Sequence, residues 1–377
     1  MFYLEELSIE GFRNYQHQKL QFHPRLNLLI GENAQGKTNL LESIFYLSVT
    51  RSFRTHRDQE LVHWGNALFF LKGIFVKEDF KNTVRVHYPQ NGKLKVSIND
   101  AVVNRFEHMQ RYPVIVFSPD DLMIIKEGPA VRRRFINLEA SRLSNAYLQD
   151  LKNYQRVLMQ RNNILKEKKS RSQINDLLSP WDHALIKYGV SLIKYRLEII
   201  EALEKEAQFF FDKITSSKEI LTMQYESTVS YNKDNKEMEN SFFHDLRGKR
   251  DQEIKRSSTI MGPHLDDIKI YINGYDSRYY SSQGQKRTAA LALKMSEISL
   301  FKNQNDFCPI LLLDDVFSEF DEIRKQHLLD FLRENNGQCF ITTAVDQSCL
   351  LKNLKRDYKV ISVCQGNVKD ESIRTGS

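Results

Sequence analysis

"RLNLLIGENAQGKTNLLESIFYLS", residues 25–48, holds the reading that decides the fold. An apolar run, "LNLLI", ends in a glycine loop, and apolar residues at helical spacing follow it. Strand, loop and helix in that order make the βα unit of an α/β sheet. The loop, Gly31 to Thr38, fits G-x-x-x-x-G-K-[ST]. Glycines at 31 and 36 let backbone N–H groups turn inward and wrap a phosphate. Lys37 can reach the β and γ oxygens, and the Thr38 hydroxyl can ligate Mg²⁺. Glu32, Asn33, Ala34, Gln35 and Asn39 complete the candidate nucleotide-binding set. The plain alternative is a glycine turn with a solvated lysine, and it leaves the flanking strand and helix without a purpose.

A second stretch, "PILLLDDVFSEFD" at 309–321, answers the first. Its apolar residues suit a strand in the middle of a parallel sheet, buried on both faces. Asp314 at its end would sit beside the nucleotide's Mg²⁺, and Asp315 could orient or activate an attacking water. The two aspartates could instead cap the next helix. Together the two stretches define a core that hydrolyses ATP or GTP, with its halves far apart in the chain.

What lies between them is an insertion. Residues 1–118 are strand-rich: "FYLEELSIEGF" alternates as an edge strand does, and "QNGK" marks a hairpin turn. Residues 119–256 turn helical through "AYLQDLKNYQRVLMQRNNILKE" and again from "WDHALIKYG", with the polar, basic connector "KEKKSRSQINDLLSP" between. The second helix would be about 50 Å long, so the pair could form a projecting antiparallel arm. Residues 257–377 return to α/β patterning, with "IKIYINGYD" as a hairpin around its Asn-Gly turn. The expected architecture is an α/β head (1–118 with 257–377) carrying a helical arm (119–256).

Composition sets limits on class. Across 377 residues, 41% hydrophobic and 27% charged, the chain reads as an ordinary globular protein. A formal charge of +7 permits a polyanionic partner without requiring one. Cys308, Cys339, Cys349 and Cys364 have no CxxC spacing, which argues against a disulfide framework or zinc site and for a reducing cytoplasm. The acidic, alternating start is unlike a signal peptide, and no apolar run reaches a membrane span, so no membrane partner is expected.

A further stretch is "SSQGQKRTAALALK", 281–294, a Ser-Gln-Gly-Gln turn before an amphipathic helix. It reads as a second anion cradle. In order, these stretches resemble the ABC-type ATPase heads of the SMC and DNA-repair kind. More narrowly, the chain is similar to the RecF family of bacterial recombination mediators. The likeness rests on "LSIEGFRNY", the P-loop stretch, "RSFRT", "FSPDDLMIIKEGPAVRRRFIN", "GPHLDDI", "SSQGQKRTAALALK" and "ILLLDDVFSEFD".

The resemblance implies an ABC-type P-loop ATPase head with an inserted helical arm, binding ATP and Mg²⁺. It makes Lys37 and Thr38 phosphate and Mg²⁺ ligands and Asp314 the Walker B carboxylate. Asp315 stands where most ABC ATPases have Glu, which agrees with slow hydrolysis. Ser282 and Gly284 match the signature, which in that group caps the γ-phosphate held by a partner subunit; Gln283 replaces a glycine there, as in RecF-like sequences, and Gln285 joins the candidate binding set. Glu319 to Asp321 match the D-loop of the dimer interface. Thr343 stands at the transporter switch-histidine position, and Gln110 is the nearest glutamine to the unassigned Q-loop role. Arg13 and Asn14 would reach the nucleotide; otherwise they form a solvated turn.

The implied partners are a second copy joined through ATP, single-stranded, gapped or junction DNA, and RecR and RecO in loading recombinase. Candidate DNA contacts are Arg51, Arg54 and Arg57, Arg132 to Arg134, and Lys166, Lys168, Lys169 and Arg171, although a charge run is more often a solvated face. A chromosome-organising or nuclease-associated head would need a longer coiled coil. A transporter subunit would need a membrane-coupling surface, and an inert DNA binder would not need the intact Lys37–Thr38–Asp314 set.

Overall fold

The structure, a computed structural model, describes all residues except 90–92, 105–107, 109, 168, 169, 217, 233, 345–356 and 375–377. The expected turn residues Gln90, Asn91 and Gly92, together with Lys168, Lys169 and Cys349, lie outside the described set. The chain divides into two units, residues 1–121 with 294–377, and residues 122–293.

The first unit holds two six-stranded sheets. One is antiparallel, in the order β2 (Tyr15–Gln21), β1 (Phe2–Phe12), β4 (Phe69–Lys77), β5 (Phe80–Tyr88), β6 (Lys95–Ile98), β7 (Ala101–Val102). The alternation of β1 marks one buried face, with Leu4, Leu7 and Ile9 fully covered. The edge position expected from sequence is corrected: β1 lies between β2 and β4. The other sheet runs β15 (Asn367–Arg374), β14 (Tyr358–Cys364), β3 (Leu26–Ile30), β13 (Cys339–Thr343), β12 (Ile310–Leu313), β8 (Val114–Phe117). All but β15 are parallel, so strands read from opposite ends of the chain lie side by side. Strand β12 is buried along its whole length, as its apolar run requires.

The helix Lys37–Val49 follows β3 and is buried along nearly its entire length, including Glu42 and Ser43. Such burial all round means a helix covered on every side rather than on one stripe. Leu40, Leu41, Ile44 and Tyr46 are completely covered.

The second unit is built on the helices Pro129–Leu143, Asn145–Leu165 and Arg171–Thr215. The last two run antiparallel, since Arg161 meets Asp182 while Asp150 meets Ser191. At 45 residues the helix Arg171–Thr215 is about 68 Å long, more than the sequence suggested. It begins ten residues before Trp181, inside the expected connector, because Ser170 and Gln173 form a capping box. Pro180 lies within it; Ile174 and Leu178 already pack against Leu165, which holds this first stretch helical. A three-stranded sheet, β11 (Tyr275–Asp276), β10 (Asp267–Ile272), β9 (Leu221–Glu226), belongs to this unit too. The sequence places the return to the head near 257. Residues 257–293 group instead with the second unit, where β10 pairs with β9, the strand that follows the long helix. Asn273 and Gly274 carry the expected hairpin turn, both at positive φ.

Candidate nucleotide-binding site

In the first unit the loop Gly31–Gly36 joins the carboxyl end of β3 to the buried helix. Gly36 has φ 115°, and a Cβ there would lie 2.5 Å from the Asn14 amide nitrogen, so only glycine fits. Gly31 is equally confined: its Cβ would come within 2.3 Å of the Val363 carbonyl oxygen. Ala34 also takes a left-handed conformation, at φ 63°. The loop is fastened from outside. Asn14 Nδ2 donates to the Gln35 carbonyl and Asn39 Nδ2 to Asn14 Oδ1, at 3.2 and 2.8 Å. Gln35 also accepts from the N–H groups of Gln365 and Gly366.

The helix starts without a side-chain cap and without an acidic residue in its first turn. Its first N–H groups and positive dipole end therefore suit an anion. Lys37 Nζ donates to the carbonyls of Gly31 and Glu32 at 2.6 and 2.7 Å, so the ammonium lies across the loop. Burial pulls its pKa below the ordinary lysine value, against the pull of Asp315 and Asp314.

Asp314 follows β12 and meets the loop side chain expected of it. Thr38 Oγ1 donates to Asp314 Oδ1 at 2.8 Å, and Thr342 Oγ1 donates to the same oxygen at 2.9 Å. Burial raises the Asp314 pKa, opposed by both hydroxyls. Asp315 takes φ 50°, and its N–H donates to Thr342 Oγ1 at 2.8 Å. It heads the short helix Val316–Glu319 without a side-chain capping bond, whereas Asp321 caps the helix Glu322–Glu334. The capping alternative thus falls to Asp321, and the hard oxygens of Thr38 and Asp314 make a pair suited to Mg²⁺.

Arg13 is neither solvated nor turned loosely toward the loop. Its guanidinium makes a two-pronged bond to the buried Glu42, at 2.8 and 2.9 Å, and Nη1 donates to the Glu60 carbonyl. Arg54, one of the candidate DNA contacts, donates to Asn39 Oδ1 and lies 3.6 Å from Glu42. Ser52 also donates to Glu42. Sequence reasoning missed Thr342 and Glu42. The signals were present, a threonine pair ending "CFITT" and a carboxylate on the apolar side of a helix, but their partners are remote in sequence.

Two other candidate DNA contacts are engaged internally. Arg132 makes a buried two-pronged bridge to Asp267, and Arg133 donates to the Asp266 carbonyl. Helical periodicity turns Arg132 inward with Ile136, so a basic run in sequence is not a basic patch.

Ser282, Gly284 and Gln285 belong to the second unit. They open the helix Gln283–Gln304. Ser282 Oγ accepts the Gln285 N–H, and Gln285 Oε1 accepts the Ser282 N–H, a reciprocal cap that the S-x-x-Q spacing encodes. Gln285 is held in turn by Glu219. Lys286 Nζ donates to the Arg278 carbonyl at 2.8 Å. Thr343 ends β13, buried. Among the described residues, no helix is long and apolar enough to cross a membrane, and Cys308, Cys339 and Cys364 form no disulfide.

Residues 3–369 match the family model for the RecF/RecN/SMC N-terminal domain. The DNA replication and repair protein RecF of Streptococcus gordonii is 39% identical over 368 residues, 97% of this chain and all of that one. That of Bacillus pumilus is 37% identical over 372 residues, 98% of this chain and again the whole relative. A solved structure of the recombination mediator protein RecF with ATP in the RecFOR pathway is 35% identical. It superposes with a TM-score of 0.89, covering 98% of this chain and 99% of that one. An Smc head domain from Pyrococcus furiosus shares the fold, with a TM-score of 0.57 at 16% identity and coverage of 100% and 97%. With relatives matched end to end and the loop, acidic strand end and inserted helices all in place, the chain belongs to the RecF family.

Proposed function

We propose that the chain is an ATP-dependent DNA-binding switch of recombinational repair. One observation carries this reading: Thr38 and Asp314, 276 residues apart, share a 2.8 Å hydrogen bond beside a loop that only glycine can form. Open parallel sheets bind ligands at the carboxyl ends of their strands, and β3, β12 and β13 all end here.

The residues fit a nucleoside triphosphate with Mg²⁺. Gly31 to Gly36 and the uncapped helix start offer N–H groups to phosphate oxygens. Lys37 exchanges its two loop carbonyls for phosphate oxygens. Thr38 and Asp314 hold the cation, which when bound supplies positive charge against the phosphates. Thr342 keeps both acidic residues oriented, and Asp315 positions water. Its short side chain holds that water loosely, in keeping with a slow ATPase used as a timer. Ser282 already accepts from its own cap, so its hydroxyl proton is what it offers an anion. With Gly284 and Gln285 it meets the γ-phosphate held by a second copy.

ATP therefore joins two copies, the pair holds single-stranded, gapped or junction DNA, and hydrolysis releases it. RecO and RecR are the proposed partners in loading recombinase at gaps in the cytoplasm, with roles in replication restart and the SOS response. The relative solved with ATP and titled as a mediator of the RecFOR pathway supports this assignment.

Sedimentation with and without ATP and a gapped duplex tests it. Wild-type protein should shift from one copy to two on adding ATP and then co-sediment with DNA. Lys37→Met should do neither; ATP-dependent pairing by that variant would overturn the reading.

A further inference from the structure

The second unit displays aromatic rings where a lone helix start would need none. Tyr275, Tyr279 and Tyr280 are 66%, 66% and 74% exposed. They touch in sequence, with centroids 6.3 Å apart for Tyr275–Tyr280 and 6.4 Å for Tyr279–Tyr280, each pair edge-on. The Arg278 guanidinium lies 5.2 Å from the Tyr279 ring centre. Single exposed apolar side chains are ordinary, but a contiguous aromatic patch beside cations marks a binding surface. Tyrosine and arginine are also the residue types that anchor interfaces.

Position says what the patch meets. Tyr280 is two residues before Ser282, so at most about 7 Å of chain separates them. The acidic neighbours are engaged: Asp276 accepts the Arg278 N–H and lies 3.4 Å from Lys269 Nζ, and Glu219 holds Gln285. The Ser282 hydroxyl and the tyrosine rings are thus close in the chain, and Arg278 is held beside Tyr279 by its bond to the Lys126 carbonyl. A nucleotide needs that combination, with phosphate at one end and a flat base at the other.

We infer that Tyr279 and Tyr280, backed by Tyr275 and Arg278, contact the nucleoside of the ATP carried by a second copy of this chain. The inference rests on the reading of Ser282 as the residue that meets that copy's γ-phosphate. It adds a role the phosphate contacts cannot supply: the partner distinguishes a nucleotide from a bare polyphosphate.

The test compares wild type, Tyr279→Ala/Tyr280→Ala, Tyr279→Phe/Tyr280→Phe and Ser282→Arg, each with ATP or inorganic tripolyphosphate. Monomer affinity for ATP, pairing by sedimentation and binding to single-stranded DNA are all read. The alanine pair should bind ATP within about twofold of wild type yet need at least tenfold more protein to pair. The phenylalanine pair should recover most of that loss, since ring faces make the contact. Tripolyphosphate should pair wild type no better than ATP pairs the alanine variant. If the alanine pair matches wild type while Ser282→Arg blocks pairing, the inference is overturned and the signature reading stands. If neither variant alters pairing, the signature reading falls as well. A loss of single-strand DNA binding with pairing intact would assign the tyrosines to DNA and also overturn it, as would loss of ATP affinity in the isolated copy.

Discussion

The Thr342 hydroxyl donates to Asp314 at 2.9 Å and accepts from the Asp315 N–H at 2.8 Å, so one side chain sets both acidic residues. Thr342→Val keeps the shape and removes both bonds. Leaving that N–H without its acceptor should cost about 1–3 kcal/mol, measured by urea unfolding, and Thr342→Ser should restore most of it. A valine variant as stable as wild type would refute the assignment. Asp314 gives a pH signature. Its folded pKa is raised above 3.8 by burial. The folded state therefore holds that proton more tightly than the unfolded chain, and its stabilising effect is greatest at low pH. It fades as pH rises from 3.8 to the raised value. The proposed Mg²⁺ site needs the carboxylate, so cation affinity there should fall as pH descends through the raised value. Titration calorimetry should place the midpoint of that fall above 3.8; a midpoint at or below it in folded protein would contradict the burial effect.

At the scale of the elements, the helices of the second unit are tied by a closed ring of charge. Arg161 reaches Asp182 and Glu253, and Arg250 reaches the same two carboxylates. Arg161 and Glu253 are fully buried, while Asp182 and Arg250 are 4% exposed. Two cations and two anions balance, which makes burial tolerable. Arg161→Met leaves two buried carboxylates facing one cation and should destabilise by about 3–5 kcal/mol, read as a lower denaturation midpoint; a change under about 1 kcal/mol would mean the ring is no better than a surface pair. None of this was legible in the sequence. The glycine loop, the strand "ILLLDD" and the Asn-Gly hairpin were, because each is a contiguous stretch whose local chemistry fixes its conformation. Ser170 at the start of the long helix could have been read from its S-x-x-Q spacing, but the basic residues around it and Pro180 suggested a connector. Arg132 and Glu42 were misplaced or missed for one reason: their partners, Asp267 and Arg13, are brought to them only by folding.

For the whole molecule, the +7 charge favours a polyanionic partner. Arg132 and Arg133 are engaged inside the protein, so the excess that remains to meet phosphates lies outside that run. DNA binding should therefore be insensitive to base sequence and steeply sensitive to salt. For six or more phosphate contacts, affinity should drop about 10³-fold or more between 50 and 200 mM salt, followed by fluorescence anisotropy on a gapped duplex. A flat response would exclude phosphate tracking.

The strand order β14-β3-β13-β12 carries a consequence in time. The two strands beside β3 and the one bearing Asp314 all come from residues 310 onward. Thr38 waits 276 residues for its carboxylate partner. At ordinary synthesis speeds that is roughly 15 to 55 s on the ribosome. Through that interval the glycine loop hangs from a strand with no neighbour in its sheet, and a chain cut short before residue 310 never gains one. The glycine loop thus emerges long before its sheet, and the strands from residue 310 onward are what complete it.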